Sequence, residues 1–179
     1  MKKKATYVLM LSEEFPAHHP KAGSPTGFHE AFLRGQRREL CKISHGCLGC
    51  GECCGPVKRH TLRANAARWE HRAARVNAGE AEVSVRQWSG RPYEEGSHQI
   101  EIGRLTKLGT QRVSCFPVDR SPIALVADKN RPCVMRPVKI GRIAFGDALS
   151  EQDFVDWFRL RGSDCIFEGV ILHFTDFRY

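Results

Sequence analysis

The segment Lys58–Arg63 is the feature of this sequence that most constrains how the chain can fold. It reads Lys-Arg-His-Thr-Leu-Arg. If it is extended, Thr61 and Arg63 share one face because strand side chains repeat every two residues, and a bend after Lys58 brings the lysine to that face. An ammonium group, a hydroxyl and a guanidinium group would then converge. This grouping suits attack on a polar carbonyl, and it also suits the binding of a phosphate.

Periodic patterns on both sides of this segment predict a strand and two helices. The apolar run 7–11 has the length of a strand, and the serine–proline pair at 24–25 predicts the beginning of a helix that ends near Gly35. Residues 65–78 form a second predicted helix with one buried stripe, because apolar residues recur there at helical spacing. This stripe comprises Leu62, Ala66, Trp69, Ala73 and Val76.

The later patterns complete a mixed architecture. Residues 82–86 and 99–102 alternate polar with apolar and predict half-buried strands. Residues 150–153 form a capping box before a helix, and 170–174 are a last apolar strand. We therefore expect an α+β fold, a small and mostly antiparallel β-barrel flanked by about three helices. A chain of 179 residues with this composition predicts a single domain, residues 1–179.

The order of these motifs resembles the ASCH superfamily, whose members have a PUA-like β-barrel and a lysine-x-x-threonine-x-arginine motif after the first helix. Lys58, Thr61 and Arg63 match that motif. The resemblance covers about residues 7–110 and 143–179. It implies the barrel fold and a site at this motif.

The resemblance also implies a function. One ASCH branch removes the acyl group from N4-acetylcytidine with a lysine, a threonine and a glutamate, and other members are thought to bind or cleave RNA. By motif position Lys58 and Thr61 match the first two catalytic residues, and Asp147 stands in place of the glutamate. Arg63 is the expected substrate-binding residue. Aspartate is one methylene shorter than glutamate, and a displacement of roughly 1 Å at a reacting centre can cost about a hundredfold in rate.

The expected chemistry depends on the protonation state of Lys58. A neutral amine can accept the hydroxyl proton of Thr61 only if burial, or the charge of Arg63, lowers the lysine pKa well below its usual ~10.4. A nearby carboxylate favours the ammonium form, so we expect Asp147 to lie closer to the leaving amine than to Lys58. Ligand binding without chemistry and a solvated strand without any such role are the alternatives.

Two further residues are predicted to contact the substrate. Arg59 adjoins the motif, and His19 lies in a proline-flanked loop between the first strand and the first helix. The net charge of +8 favours an anionic partner, here RNA or a nucleoside ligand. A charged surface that only keeps the protein soluble is the alternative.

A cysteine-rich insertion occupies about residues 36–57. Clustered thiols in a chain without an export signal predict a metal site, because the cytosol keeps thiols reduced and thiolates at two-residue spacing can close on one ion. The preferred assignment is zinc, with an iron–sulfur cluster or a metal-free thiol loop as alternatives. The candidate ligands are Cys41, Cys47, Cys50, Cys53 and Cys54, with His45 and His60 as substitutes and only one of Cys41 and Cys54 expected in a zinc site. A metal-dependent regulator or redox sensor is therefore the competing function.

Two remaining features bear on location and on the late part of the chain. No stretch approaches the ~20 apolar residues of a spanning helix. Lysines at 2–4 precede an apolar run, but no small-residue cleavage site follows, so a cytoplasmic protein without a membrane partner is expected. Residues 113–142 lack periodicity and predict an irregular loop or a small hairpin.

Overall fold

The computed structural model of the protein describes residues 4–44, 55–118, 122–161 and 165–179, with the backbone alone for residues 38–44. The described residues form four helices and eight strands. In chain order they are β1 (Ala5–Met10), α1 (Phe28–Ser44), β2 (His60–Arg63), α2 (Ala66–Asn77), β3 (Ala81–Trp88), β4 (Gln99–Leu105), β5 (Gly109–Phe116), β6 (Ile123–Ala127), β7 (Met135–Lys139), α3 (Ile140–Gly146), α4 (Glu151–Trp157) and β8 (Phe167–His173).

The strands form two sheets. One has three strands in the order β1-β3-β4, and the other has five in the order β2-β8-β5-β6-β7. The pairing of β1 with β3 is parallel, and the other strand pairs are antiparallel. The expected α+β class with mostly antiparallel pairing is confirmed. A barrel is not confirmed, because neither sheet closes on itself in the described part of the chain.

Helix α2 joins the two sheets through its apolar stripe. It begins after Asn65, whose side chain caps the backbone N–H of Arg68, and it ends before Gly79, which has a positive φ. Trp69, Ala73 and Val76 are its buried residues, as their spacing predicted. The helix packs against β3 of one sheet and against β5 and β8 of the other, so one hydrophobic core serves both sheets.

Helix α1 differs from its prediction at both ends. The pair at 24–25 does not begin it: Pro25 bridges to Glu14, and the Thr26 hydroxyl accepts a hydrogen bond from the N–H of Phe28, where the helix begins. The helix also continues past Gly35. A Cβ at Gly35 would lie 2.8 Å from the carbonyl oxygen of Lys58, so this glycine serves close backbone approach and does not end the helix.

Residues 113–142 are more regular than their composition suggested. They contain the end of β5, the antiparallel pair β6–β7 and the beginning of α3. Their patterning is weak because β7 is an edge strand that includes Pro137 and is largely exposed, whereas β6 is partly buried beside it.

Candidate functional site

Lys58 is held by the backbone on two sides. Its N–H donates to the carbonyl of Ala31 in α1 over 2.9 Å, and it forms an isolated antiparallel bridge with Asp147. The absence of a side chain at Gly35 allows α1 to lie directly against the Lys58 carbonyl. The lysine is therefore positioned by α1 and by the segment that follows α3.

Asp147 lies at the junction between α3 and α4. Its N–H donates to the carbonyls of Ile143 and Ala144, each over 3.0 Å, and so ends α3. The next residue, Ala148, has φ of +61°, and Ser150 then caps α4 by accepting from the N–H of Asp153. This tight junction directs the carboxylate of Asp147 toward β2.

Lys58 and Asp147 form a buried ion pair. The Lys58 Nζ donates to the backbone oxygen of Asp147 over 2.9 Å and also to its carboxylate Oδ1. The two residues are 0% and 3% exposed. On another side, Nζ lies 3.4 Å from the centroid of the Phe28 ring, a cation–π contact. The α3–α4 junction thus brings Asp147 into direct contact with Lys58; its position relative to a leaving amine stays a prediction.

Burial decides the titration of this pair. It lowers the pKa of Lys58 from 10.5 to about 8, although Asp147 acts in the opposite direction. Burial also raises the pKa of Asp147, against the charges of Lys58 and Arg63. The low dielectric penalises both charged forms by more than their mutual attraction returns. The amine of Lys58 consequently titrates close to neutral pH.

Thr61 and Arg63 lie on one face of β2, as the period-two pattern predicted. The Arg63 Nη1 donates to the Thr61 Oγ1 over 3.1 Å and to the carbonyl of Leu62 over 2.9 Å, while Nη2 donates to the carbonyl of Met10 at the end of β1 over 2.5 Å. The charge of Arg63 acts on both Lys58 and Asp147. Arg63 therefore connects Thr61 with the Lys58–Asp147 pair. We call the four residues Lys58, Thr61, Arg63 and Asp147 the Lys58 cluster, in which Arg63 is partly buried and the other three are buried.

Two pockets lie beside the Lys58 cluster and share Glu13 and Trp88. One, of about 350 Å³, runs from Met10 to Phe15 and includes residues 88–92 in part. The other, of about 300 Å³, includes Phe28. Met10 and Phe28 each contact the cluster directly, through Arg63 and Lys58 respectively. None of the five pockets found among the described residues is lined by the four cluster residues themselves.

His19 and Arg59, the two further predicted substrate contacts, lie elsewhere. His19 is buried against α4, where its ring stacks on Phe15 at 4.4 Å and its Nε2 is 3.2 Å from the carbonyl of Asp153. The loop before α1 folds onto α4 and so does not bring His19 to Lys58. Arg59 lines a separate pocket with Phe177.

The predicted metal ligands lie outside the residues whose side chains the structure describes. Cys47, Cys50, Cys53 and Cys54 fall in the segment 45–54, as does His45, and Cys41 is described by its backbone alone. Among the described side chains, no group of three or more His, Cys, Asp or Glu residues could hold a metal ion. The substitute ligand His60 instead faces Tyr179, with 2.8 Å between its Nε2 and the tyrosine Oη.

A second buried polar group was missed from the sequence. His60 and His173 are opposite one another in the β2–β8 register, and their ring centroids are 5.6 Å apart. The carbonyl of Arg142 can only accept, so the hydroxyl of Tyr179 donates to it and His60 Nε2 donates to that hydroxyl. His60 Nδ1 and both ring nitrogens of His173 are buried and have no hydrogen-bond partner among the described residues. The histidine–tyrosine set of His60, His173 and Tyr179 is called the His60 cluster below.

Comparison with known proteins finds no match. This holds for protein-family models, for curated proteins and for solved structures. In addition, none of the helices in the described part of the chain combines the length and apolar character needed to cross a bilayer.

Proposed function

We propose that this protein binds a nucleobase-containing ligand and that the Lys58 cluster hydrolyses an N4-acylcytidine-type amide in it. The observation that supports this proposal is a buried lysine with a pKa of about 8 and an aspartate partner, beside an arginine that acts on both charges and donates to a threonine hydroxyl. The same residues carry the resemblance to the ASCH motif. Groups with pKa values shifted toward neutrality by burial and a specific charge partner are typical of functional sites.

Thr61 is the nucleophile in this proposal. Arg63 only donates, so its bond to Thr61 Oγ1 uses an oxygen lone pair and leaves the hydroxyl proton free for transfer. The guanidinium also stabilises negative charge that develops on the oxygen as the proton leaves. The oxygen attacks the carbonyl carbon of the amide and forms a bond to it, and the carbonyl electron pair moves to its oxygen.

Lys58 accepts and then returns the proton. With a pKa of about 8, about one molecule in ten has a neutral Lys58 amine at pH 7, and this amine can take the hydroxyl proton of Thr61. When the tetrahedral intermediate collapses, the bond to the exocyclic nitrogen breaks and that nitrogen takes the proton. Water then hydrolyses the acyl ester on Thr61, which releases a carboxylic acid and restores the hydroxyl.

Asp147 orients the lysine and holds its charged form in this scheme. The contact through both the backbone oxygen and the carboxylate fixes Nζ in place, which is the preorganisation that acid–base catalysis requires. Because the aspartate directly contacts Lys58, the amine returns to a compensated ammonium each time it takes a proton.

The ligand base belongs in the pockets that share Glu13 and Trp88. Trp88 lines both of them, and an indole ring is a suitable stacking surface for a nucleobase. Phe28 lies between one pocket and Lys58, because it lines that pocket and also contacts Nζ. An acyl group that extends from this pocket toward Lys58 therefore passes the Phe28 ring.

The test is a turnover assay in which the full chain acts on N4-acetylcytidine and the release of cytidine is measured. Thr61→Ala should reduce turnover by about a hundredfold or more, since it removes the nucleophile. Thr61→Ser keeps the hydroxyl and should retain measurable turnover. Both variants are checked by thermal unfolding, so that a loss of fold is recognised.

Two results would refute the proposal. One is unchanged turnover in Thr61→Ala, which would remove the threonine from the chemistry. The other is the absence of both turnover and binding for N4-acetylcytidine and short acetylated RNA with the wild-type chain. Binding without turnover would retain the ligand class and remove the reaction.

A further inference from the structure

A separate pocket of about 370 Å³ lies on the other side of the backbone that carries the Lys58 cluster. Besides two glycines, its lining consists of Arg59, Arg142, Phe145, Phe177 and Tyr179. Its volume is in the range of small-molecule sites, on the order of 300–1,000 Å³. We call it the Arg59 pocket.

The position of the Arg59 pocket follows from the bridge between two chain segments. Lys58 pairs with Asp147, and the next residue on one side, Arg59, donates its N–H to the carbonyl of Gly146 over 2.8 Å. Lys58 and Asp147 are buried in their cluster, while Arg59 and Gly146 line the pocket. The same two backbone segments therefore form a wall between two sites.

The two charged side chains that line the Arg59 pocket are both positive. Neither Arg59 nor Arg142 has a carboxylate partner among the described residues, and the carboxylate of the adjacent Asp147 is buried against Lys58. Other arginines, by contrast, form an ion pair with a carboxylate. They include Arg75, Arg104, Arg112, Arg136 and Arg161. Two unpaired guanidinium groups in one pocket are suited to an anion, and their planar donors match phosphate oxygens in particular.

Aromatic rings accompany these charges. The guanidinium carbon of Arg59 lies 5.4 Å from the centroid of the Phe177 ring, which limits the orientations of the arginine side chain. Phe145 is 62% exposed, and it thus presents a ring to any occupant of the pocket. Cationic groups beside an exposed ring fit a ligand that combines a phosphate with a planar base.

We propose that the Arg59 pocket is a nucleotide-binding site distinct from the Lys58 cluster. Its phosphate would be bound by Arg59 and Arg142, and its base would stack on Phe145. A free mononucleotide and a nucleotide residue within RNA supply the same chemistry. The structure thereby gives Arg59 a role in a second site, in place of the substrate contact expected from its sequence position.

Calorimetric titration of the full chain with AMP at low salt tests this site, with adenosine and inorganic phosphate as the partial ligands. We expect saturable binding of AMP and affinity for adenosine weaker by at least about tenfold, because adenosine lacks the phosphate contacts. Arg142→Gln should weaken AMP binding by about tenfold or more. Arg68→Gln removes the same charge from α2 and should change the affinity by less than about twofold.

The aromatic contribution is measured separately. Phe145→Ala should weaken AMP binding severalfold and leave the affinity for inorganic phosphate unchanged, since only the base contacts the ring. Tyr93→Ala, which removes a 91% exposed ring from the β3–β4 connection, is the matched control. Thr61→Ala should bind AMP as the wild type does, because the Lys58 cluster is a different site.

An oligoribonucleotide that AMP displaces would identify the occupant as an RNA residue, and tight AMP binding without oligonucleotide binding would identify it as the free nucleotide. The proposal is overturned if the wild type binds neither AMP nor RNA saturably at low salt. It is also overturned if Arg142→Gln and Arg68→Gln weaken binding equally, which would indicate nonspecific attraction, or if Thr61→Ala abolishes binding. None of these results depends on whether N4-acetylcytidine is hydrolysed.

Discussion

The Lys58 cluster and the His60 cluster both include residues of β2 and are both largely buried, yet their polar groups are hydrogen-bonded to different extents. Lys58 meets a carboxylate, and Thr61 meets a guanidinium. His60 and His173, by contrast, leave three ring nitrogens without a partner. In the first cluster burial lowers the pKa of Lys58 and the Asp147 carboxylate offsets this only in part, so the amine titrates at about 8 and a proton can move close to neutral pH. In the second, burial excludes the charged form, so chemistry at neutral pH is expected only of the first.

The His60 cluster should make the protein labile in acid, and this is the largest effect that we expect. Burial, with the charge of Arg178, lowers the pKa of His173 to about 3, and burial, with His173, Lys58 and Arg59, lowers that of His60 well below 6.5. As the pH falls below 6.5, these two histidines bind protons in the unfolded chain but stay neutral in the folded chain. Stability is therefore lost between pH 6.5 and 3, by about 5 kcal/mol for His173 alone.

His173→Phe checks this expectation by chemical denaturation across that pH range. The variant should equal or exceed the wild type in stability at pH 7, because it removes two unsatisfied nitrogens, and its acid dependence should be shallower. His71→Gln, at an exposed position of α2, should leave the profile unchanged. Identical pH profiles for the wild type and His173→Phe would contradict the assignment of His173 as a buried neutral imidazole.

Breaking the buried ion pair is expected to have the next largest effect. Lys58→Met should reduce the free energy of unfolding at pH 7 by about 3–5 kcal/mol, since Asp147 is left buried without its partner. The double variant Lys58→Met/Asp147→Leu should recover much of this loss because no uncompensated charge remains. Urea unfolding measures both. Equal stability of the single and double variants would show that the two side chains are not coupled.

The sign of the stability change in Gly35→Ala distinguishes helix propensity from overpacking against the Lys58 backbone. Helix propensity alone predicts that Gly35→Ala stabilises α1 by about 0.5–1 kcal/mol. The added methyl would, however, lie 2.8 Å from the carbonyl oxygen of Lys58, and such overpacking against backbone costs about 1–3 kcal/mol. We expect a net loss of stability by urea unfolding and reduced turnover. A more stable variant would mean that α1 does not position Lys58.

The pH dependence of turnover bears most directly on mechanism. If Lys58 is the base, kcat/KM for N4-acetylcytidine should rise about tenfold per pH unit below about pH 8 and level off above it, because the pKa of the amine is about 8. Lys58→Arg stays protonated and should be inactive at every pH. A rate that is constant from pH 6 to 9 would exclude the lysine as the base.

Local patterns in the sequence predicted those parts of the structure that local physics determines. The two-residue period of β2 placed Thr61 and Arg63 on one face, the stripe at Trp69, Ala73 and Val76 predicted α2, and the serine at 150 predicted the cap of α4. Each depends on residues within one or two turns of the chain. The helix and strand types around the motif were correct for this reason.

Contacts between segments that are distant in the sequence were harder to predict. The pairing of His60 with His173 requires the β2–β8 register, which spans more than a hundred residues of sequence. The direct contact between Lys58 and Asp147 requires the position of the α3–α4 junction, whereas the sequence argument placed Asp147 closer to the leaving amine than to Lys58. Gly35 was misinterpreted as a helix end because its reason, the carbonyl of Lys58, lies on another element. A pattern in one sequence does not show which distant backbone segment packs against a glycine.

The wall between the Lys58 cluster and the Arg59 pocket implies thermodynamic linkage. It consists of two short backbone segments joined by the Lys58–Asp147 bridge and by the bond from Arg59 to Gly146. A ligand bound either at the Lys58 cluster or in the Arg59 pocket that displaces these shared segments changes the affinity of the other site, and reciprocity requires the same factor in both directions.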